Sequence, residues 1–390
     1  MDPLLSLTYF TIVVLIGLFT SMLANKLKLP NVLLLLISGV ALGNIYVDSK
    51  PLVDFPVAFT GSISILALIM IVFDSTSRLN FKAFDTFSGR AIKLTGIFLL
   101  LNLAFLTLSI KFIFSFPILF SFLFAALMSG TAPDVVLSVI EDTKNKTLEF
   151  LKIESIINTP IVVLIPFVML DFIEAGNSSF SLAFTYLKPF LLQIFAGAGV
   201  GLILAIIIFK VMRKYYSEKL SPLAIISTAL LSYTLAENLG GNGVLSVTVA
   251  GLIFANVTIK GKVALLEFSK LFSIILEILV FVFVGLLIKL PFALDFVIKS
   301  LFLFVIYLLI RYMAITVSFN DLRLKEKLFM TFNMPKGIAV AVIVTLFFNL
   351  QIEGLKPILD LALLFLVYTM VSSTIVIKFS KYFLNTEVIK

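Results

Sequence analysis

The sequence contains no cysteine, no histidine and no tryptophan among its 390 residues. The absence of cysteine excludes disulfide bonds and thiolate metal sites. Histidine is the side chain that most readily changes its charge near neutral pH. Without it, any proton chemistry must use carboxylates or lysines. Carboxylates are also scarce, since 22 aspartates and glutamates stand against 30 lysines and arginines.

Apolar residues make up 61% of the chain, whereas soluble domains contain about 45–50%. We identify thirteen apolar segments close to the ~17–25 residues that a membrane-spanning helix needs. They lie near residues 5–25, 31–47, 55–74, 91–113, 116–140, 152–173, 186–209, 221–237, 242–258, 266–288, 291–317, 327–350 and 357–379. The first segment lacks the basic flank and cleavage site of a signal peptide. The sequence therefore predicts an all-α, multi-pass membrane protein with a single membrane domain over residues 1–390.

Basic residues are distributed unevenly between the connections. Those after segments 1, 3, 5, 7, 9 and 11, together with the C-terminal tail, carry 22 of the 30 lysines and arginines. Cytoplasmic loops are the ones enriched in lysine and arginine. We therefore expect the N-terminus outside the cell and the C-terminus in the cytoplasm. The net charge of +8 then reflects topology, and no nucleic-acid partner is expected.

Segments 5 and 12 are each interrupted near their middle. Segment 5 contains Gly130 and Pro133, and segment 12 contains Pro335 and Gly337. Proline removes a helix hydrogen bond and clashes with the preceding turn. In a bilayer, the backbone groups freed in this way must be buried in protein or line a cavity. Paired broken helices mark the substrate site of many secondary transporters, so we expect breaks at 130–133 and 334–337 that approach each other near the bilayer midplane.

An internal repeat accompanies the two breaks. Val32–Asn44 and Val244–Asn256 share Val-Leu, a glycine seven residues on and an asparagine twelve residues on. These stretches are segments 2 and 9, and the interrupted segments are 5 and 12. Both pairs are seven segments apart, so their members cross the membrane in opposite directions. We interpret residues 5–174 and 221–380 as inverted repeats joined by a connecting helix at 186–209. Chance similarity between apolar helices is the alternative.

Ionisable side chains within apolar segments cost about 2.5–3.5 kcal/mol each and need a partner or a function. Five stand out: Asp74, Asp134, Glu154, Arg311 and Lys336. Asp134 follows the break in segment 5, where the N-terminus of a half-helix would stabilise its anion, and Thr131 is three residues earlier. In segment 6, Glu154 and Asn158 are four residues apart, as are Ser155 and Thr159, and these pairs form two polar stripes. Their oxygen atoms suit a hard monovalent cation. The alternative is that these side chains only satisfy broken backbone and pack helices together, or, for Asp74, lie at the membrane interface.

The chain resembles the monovalent cation:proton antiporter superfamily, and within it the thirteen-helix archaeal and bacterial Na+/H+ antiporters. The resemblance covers almost the whole chain. It rests on an ordered set of stretches: KLKLPNVLLLLISGVALG from residue 26, FDSTSRLNF from 73, GTAPDVVLSVI from 130, ESIINTP from 154, NGVLSVTVAGLIFAN from 242, FVFVGLLI from 281, IRYMAI from 310 and KEKLFMTFNMPKGIAVAV from 325. It implies a homodimer in the cell membrane that contains an inverted repeat with crossed broken helices. It also implies exchange of Na+ or a similar ion, such as Li+ or K+, for protons, with no cofactor and no metal beyond the transported ion.

The chain departs from the family pattern at the acidic positions. The family usually carries Thr-Asp-Pro in helix 5 and Asn-Asp in helix 6, where cation and proton compete for the second aspartate. This chain has Ala132 and Thr159 at those two positions. Lys336 replaces an arginine that in the family pairs with the glutamate matching Glu154. Asp74 matches the acidic position of the family's Phe-Glu-Gly-Gly stretch.

These departures leave three functions open. The leading interpretation is cation/proton antiport, in which Asp134 carries the exchangeable charge, Asp74 is a secondary candidate, and Thr131, Ser155, Asn158 and Thr159 contribute to ion binding. The resemblance also implies a buried ion pair between Glu154 and Lys336. A second possibility is a transporter of K+ or another solute on the same scaffold. A third is a membrane sensor or partner protein that no longer transports.

Overall fold

The computed structural model describes residues 3–27, 29–47, 50–78, 86–132, 146–174, 183–289, 292–350 and 352–384. Apart from one short hairpin, in which Tyr46–Val47 pairs antiparallel with Lys50–Pro51, the regular structure in these ranges is helical. Helices satisfy all their backbone hydrogen bonds internally, as a lipid environment requires. The described residues therefore form an all-α polytopic membrane fold.

The first half of the chain contains seven α-helices in the described ranges. They are α1 (Pro3–Leu27), α2 (Asn31–Gly43), α3 (Val57–Ser77), α4 (Thr86–Leu101), α5 (Thr107–Phe114), α6 (Ile118–Leu127) and α7 (Lys146–Glu174). A π-helical turn, Asn102–Leu106, joins α4 to α5.

The second half contains nine described helices. They are α8 (Ala183–Lys214), α9 (Ser221–Asn238), α10 (Gly243–Asn256), α11 (Lys262–Leu287), α12 (Leu294–Ser318), α13 (Leu324–Phe332), α14 (Ile338–Asn349), α15 (Lys356–Lys378) and α16 (Ser380–Phe383). In the described part of the chain, seven helical segments are long and apolar enough to cross a membrane, one of them the continuous stretch Gly89–Phe114, and four apolar helices are shorter.

Two helix segments in the interior of the bundle are apolar and buried on every side. In α14, every residue from Val340 to Val344 is buried, and in α11 the same holds from Leu279 to Gly285. A helix that is hydrophobic all round belongs in the interior. In contrast, α1 and α8 expose many leucine, isoleucine and phenylalanine side chains, as expected for helices that face lipid.

Two glycines allow helices to pack closely at comparable places. A Cβ at Gly39 of α2 would lie 2.8 Å from the Cα of Gly285 in α11. A Cβ at Gly251 of α10 would lie 3.1 Å from the carbonyl oxygen of Phe73 in α3. Small residues at such positions let helix backbones approach each other in membranes. The glycines shared by the two matching stretches of sequence therefore both lie at helix–helix contacts.

Candidate ion site

Segment 12 is interrupted where its proline and glycine predicted. Helix α13 ends at Phe332 and α14 begins at Ile338, with residues 333–337 non-helical between them. These five residues, Asn333 to Gly337, are buried. The predicted break at 334–337 is confirmed, and it starts one residue earlier than expected.

Segment 5 leaves the helical conformation at the corresponding place. Helix α6 ends at Leu127, and residues 128–132 are not helical. The backbone N–H of Ala132 donates a hydrogen bond of 2.9 Å to the carbonyl oxygen of Pro335. The two interruptions therefore meet, as predicted. Pro133 and Asp134 lie outside the described residues.

The ion pair at the site differs from the one expected. Glu154 and Lys336 are both in the described part of the chain, but they do not form a salt bridge. Instead, Glu154 on α7 accepts two hydrogen bonds from Arg311 on α12, at 2.6 Å from Nη1 and 2.7 Å from Nη2. Both side chains are completely buried, and the guanidinium carbon lies 4.7 Å from the centre of the Phe98 ring. The planar guanidinium matches a carboxylate in two places at once, whereas an ammonium cannot.

Lys336 is surrounded by oxygen atoms that carry no full charge. Its ammonium donates to the carbonyl oxygens of Met128 at 2.7 Å and Gly130 at 2.5 Å, and to the hydroxyl of Tyr307. The Tyr307 hydroxyl in turn donates to the Met128 carbonyl at 2.8 Å. The break in segment 5 frees these carbonyls from helical bonding. A fully buried lysine thus joins the break in segment 12 to the break in segment 5 and to α12.

Two of the predicted ion-binding residues, Thr131 and Asn158, form a connected polar cluster with Glu154 next to this arrangement. The Thr131 hydroxyl accepts a hydrogen bond of 2.9 Å from the Asn158 amide and donates one of 3.2 Å to Glu154. Ser155 is buried one residue along α7 from Glu154. The side chain of Thr159 is outside the described part of the structure. The polar stripe of segment 6 therefore faces the break in segment 5.

Two asparagines near the breaks were not predicted from the sequence. Asn333 is completely buried at the start of the second break, and neither side-chain polar atom has a partner among the described residues. Asn102 begins the π-helical turn and donates to the Ala125 carbonyl at 2.8 Å and the Ser129 hydroxyl at 3.0 Å. Such turns occur frequently at functional sites. A polar residue within an apolar run was the available signal for both positions.

Asp74 is near the end of α3, and among the described residues it shares no hydrogen bond or ion pair with this cluster. Its carboxylate receives Nη2 of Arg78 at 2.8 Å and Nε at 3.2 Å. The Arg78 side chain is 36% exposed, and it also donates to the Leu266 carbonyl at 3.2 Å. The Asp74 side chain is 16% exposed, and its placement at the membrane interface stays a prediction.

Comparisons with known proteins agree with this architecture. The profile described as "Sodium/hydrogen exchanger, transmembrane" matches residues 10–380. The Na(+)/H(+) antiporter NhaH of Halobacillus aidingensis is 30% identical over 291 residues, covering 68% of this chain and 70% of that protein. The K(+)/H(+) antiporter NhaP2 of Shewanella sp. (strain ANA-3) is 24% identical over 342 residues, covering 85% of this chain but 58% of that protein.

A solved structure resembles the whole chain. The sodium proton antiporter MjNhaP1 from Methanocaldococcus jannaschii, determined at pH 8, superimposes with a TM-score of 0.80 and covers 99% of both chains. The two sequences are 19% identical. At that level of identity the likeness shows the fold.

Proposed function

This chain belongs to the sodium/hydrogen exchanger family, and on that premise we propose that it is a secondary transporter that exchanges a monovalent cation for protons across the cell membrane. Na+ is the first candidate, because the relative from Halobacillus aidingensis bears the name of a Na+/H+ antiporter.

The observation that carries the proposal is the meeting of the two broken segments around buried polar groups. The hydrogen bond from Ala132 to Pro335 joins the breaks, and Thr131 and Asn158 lie beside them with Glu154. Secondary transporters place substrate sites where discontinuous helices from two repeats approach each other. A site built in this way can face either side of the membrane through a movement of one helix group against another.

The charges of the described side chains restrict how a cation binds there. Glu154 is neutralised by Arg311, and Lys336 adds a positive charge without a carboxylate in its hydrogen-bonding sphere. An additional cation in this buried region therefore requires another negative group. Asp134 is the carboxylate closest in sequence to the break, and we retain it as the proposed exchangeable charge. The oxygen atoms of Thr131, Ser155, Asn158 and Thr159 are proposed as further ligands.

The proposal includes three features of architecture. The first is the thirteen-helix inverted repeat, which the close contacts at Gly39 and Gly251 support. Segments 2 and 10 meet at Gly39, and segments 3 and 9 meet at Gly251. Because the repeat matches segment 2 with segment 9 and segment 3 with segment 10, each contact is the counterpart of the other. The second is an external N-terminus with a cytoplasmic C-terminus, supported by the distribution of basic residues. The third is a homodimer, supported by the family resemblance.

A second candidate is exchange of K+ for protons, favoured by the relative from Shewanella, which bears the name of a K+/H+ antiporter. A chain that does not transport is the further alternative, because Ala132 and Thr159 replace the usual aspartates. In both alternatives the scaffold and the packing of the breaks would be the same.

Flux measurements on the purified protein distinguish these functions. The protein is reconstituted into liposomes that contain a pH-sensitive dye, and Na+, Li+ or K+ is added in turn. We expect proton movement that depends on Na+. Proton movement with K+ alone would select the second candidate. No proton movement under any cation gradient would contradict antiport altogether.

A further inference from the structure

An apolar groove of about 620 Å³ lies between α12, α13, α15 and α16. It is lined by Phe304 of α12, Phe332 of α13, Tyr368 and Ile375 of α15, and Tyr382 of α16. From Tyr368 to Phe379 it follows α15 for about 16 Å, at 1.5 Å per residue. Its volume lies in the range of ligand sites, and its lining matches an acyl chain better than a polar solute.

One end of the groove is rich in positive charge. The ammonium of Lys325, at the start of α13, lies 4.0 Å from the centre of the Tyr382 ring. Lys378 and Lys381 flank the lining residues Phe379 and Tyr382 in the sequence. All three lysines are exposed, and none takes part in an ion pair recorded among the described residues. The same end has the excess of basic residues that predicts the cytoplasmic side.

We propose that this groove binds an anionic phospholipid of the cytoplasmic leaflet, with an acyl chain between α12 and α15 and the headgroup at Lys325, Lys378 and Lys381. The positive charge at this end of the groove supports an anionic ligand, because basic pockets between membrane helices on the cytoplasmic side bind anionic headgroups. A zwitterionic lipid would fill the apolar part without pairing these lysines.

The groove also contacts the break in segment 12. Phe332, which lines it, is the last residue of α13, and the break leaves the Phe332 carbonyl without a helical partner. The hydroxyls of Ser372 and Ser373 on α15 donate to this carbonyl at 3.1 and 3.3 Å. A lipid in the groove therefore touches α13 at Lys325 and at Phe332. We expect bound anionic lipid to hold α13 against α15 and to change the exchange rate.

The binding test uses phosphatidylglycerol and phosphatidylcholine, added separately to the full chain in detergent. Retention of each lipid is measured by native mass spectrometry and by the shift in unfolding temperature. One variant, the triple groove variant, combines Lys325→Gln, Lys378→Gln and Lys381→Gln. A second, Val371→Trp, fills the groove from an exposed position on α15. The matched control combines Lys210→Gln, Lys219→Gln and Lys270→Gln, three exposed lysines on other helices and loops of the basic side.

We expect the wild type and the control to bind phosphatidylglycerol at least tenfold more tightly than phosphatidylcholine. The triple groove variant should lose this preference, and Val371→Trp should lose binding of both lipids. Equal binding of the two lipids by the wild type, or an unchanged preference in the triple groove variant, would overturn the proposal. Displacement of phosphatidylglycerol by millimolar inorganic phosphate would show that the three lysines bind a free anion, and this result would also overturn the proposal.

The effect on exchange rests on the proposed function, but lipid binding does not. Liposomes with and without phosphatidylglycerol should differ at least twofold in the exchange rate of the wild type, and this difference should disappear in the triple groove variant. If wild-type liposomes show no exchange in either lipid, the proposed function fails while the binding result stands. Exchange rates that are independent of phosphatidylglycerol would overturn the regulatory effect alone.

Discussion

Replacing Arg311 by methionine is expected to destabilise the protein strongly. The change leaves the Glu154 carboxylate buried without the bidentate partner that now lies 2.6 and 2.7 Å from its oxygens. The remaining hydrogen bond from Thr131, at 3.2 Å, cannot compensate for a lost full charge. Breaking a buried ion pair by removing one partner costs about 3–5 kcal/mol. We expect a loss of this size from Arg311→Met.

The double variant Arg311→Met with Glu154→Gln should recover much of that stability, because no buried charge is then left unpaired. Replacement of a whole buried pair by uncharged groups is often close to neutral. Arg78→Met is a matched control, since Arg78 pairs with Asp74 at a partly exposed position. Pairs of that kind contribute about 0–1 kcal/mol.

Unfolding of detergent-purified variants can be followed by circular dichroism, since the chain contains no tryptophan for fluorescence. A double-mutant cycle on Glu154 and Arg311 gives their coupling free energy, and a second cycle on Glu154 and Lys336 gives the comparison. We expect the larger coupling for Arg311. An Arg311→Met variant as stable as the wild type, or a larger coupling for Lys336, would refute the pairing of Glu154 with Arg311.

Three further predictions concern the breaks. Thr131→Val removes the hydroxyl that accepts from Asn158 and donates to Glu154. Cation-driven proton movement in liposomes should fall at least tenfold, while the unfolding free energy drops by about 1–3 kcal/mol because the buried Asn158 amide loses this partner. Unchanged flux would remove the hydroxyl from the site. Gly337→Ala places a Cβ 2.5 Å from that of Ala132 and should abolish cation-driven proton flux. The control Gly199→Ala has open space around it and should keep this flux. Equal flux in the two variants would contradict the meeting of the breaks. Tyr307→Phe removes an acceptor from the buried ammonium and should lower the unfolding temperature; an unchanged temperature would show that this hydroxyl contributes nothing.

Much of the architecture could be predicted because membrane helices have a simple physical signature. Long apolar runs indicate spans, and a proline beside a glycine within such a run indicates a break. The helix ends at Leu127 and Phe332, which precede Pro133 and Pro335, were therefore visible in the sequence. That the two breaks meet followed from their matching places in the two halves.

The pairing of charges could not be predicted in the same way. Glu154 had two buried cations available, Arg311 and Lys336, and the sequence does not give the distance between helices. The resemblance favoured Lys336, because the family has an arginine at that position. The lysine at position 336 does not need the Glu154 carboxylate, since its ammonium is satisfied by backbone carbonyls that the break in segment 5 leaves free. Tyr307 was missed because a tyrosine in an apolar helix is indistinguishable from an ordinary packing residue.

The central claim is that one site between the two breaks exchanges a cation for a proton. It is tested most directly by measuring Na+-driven proton movement in liposomes that contain either the wild type or Asp134→Asn, with equal amounts of folded protein. We expect proton movement in the wild type and none in Asp134→Asn. Full proton movement in Asp134→Asn would contradict the assignment of the exchangeable charge, and no movement in the wild type would contradict the claim itself.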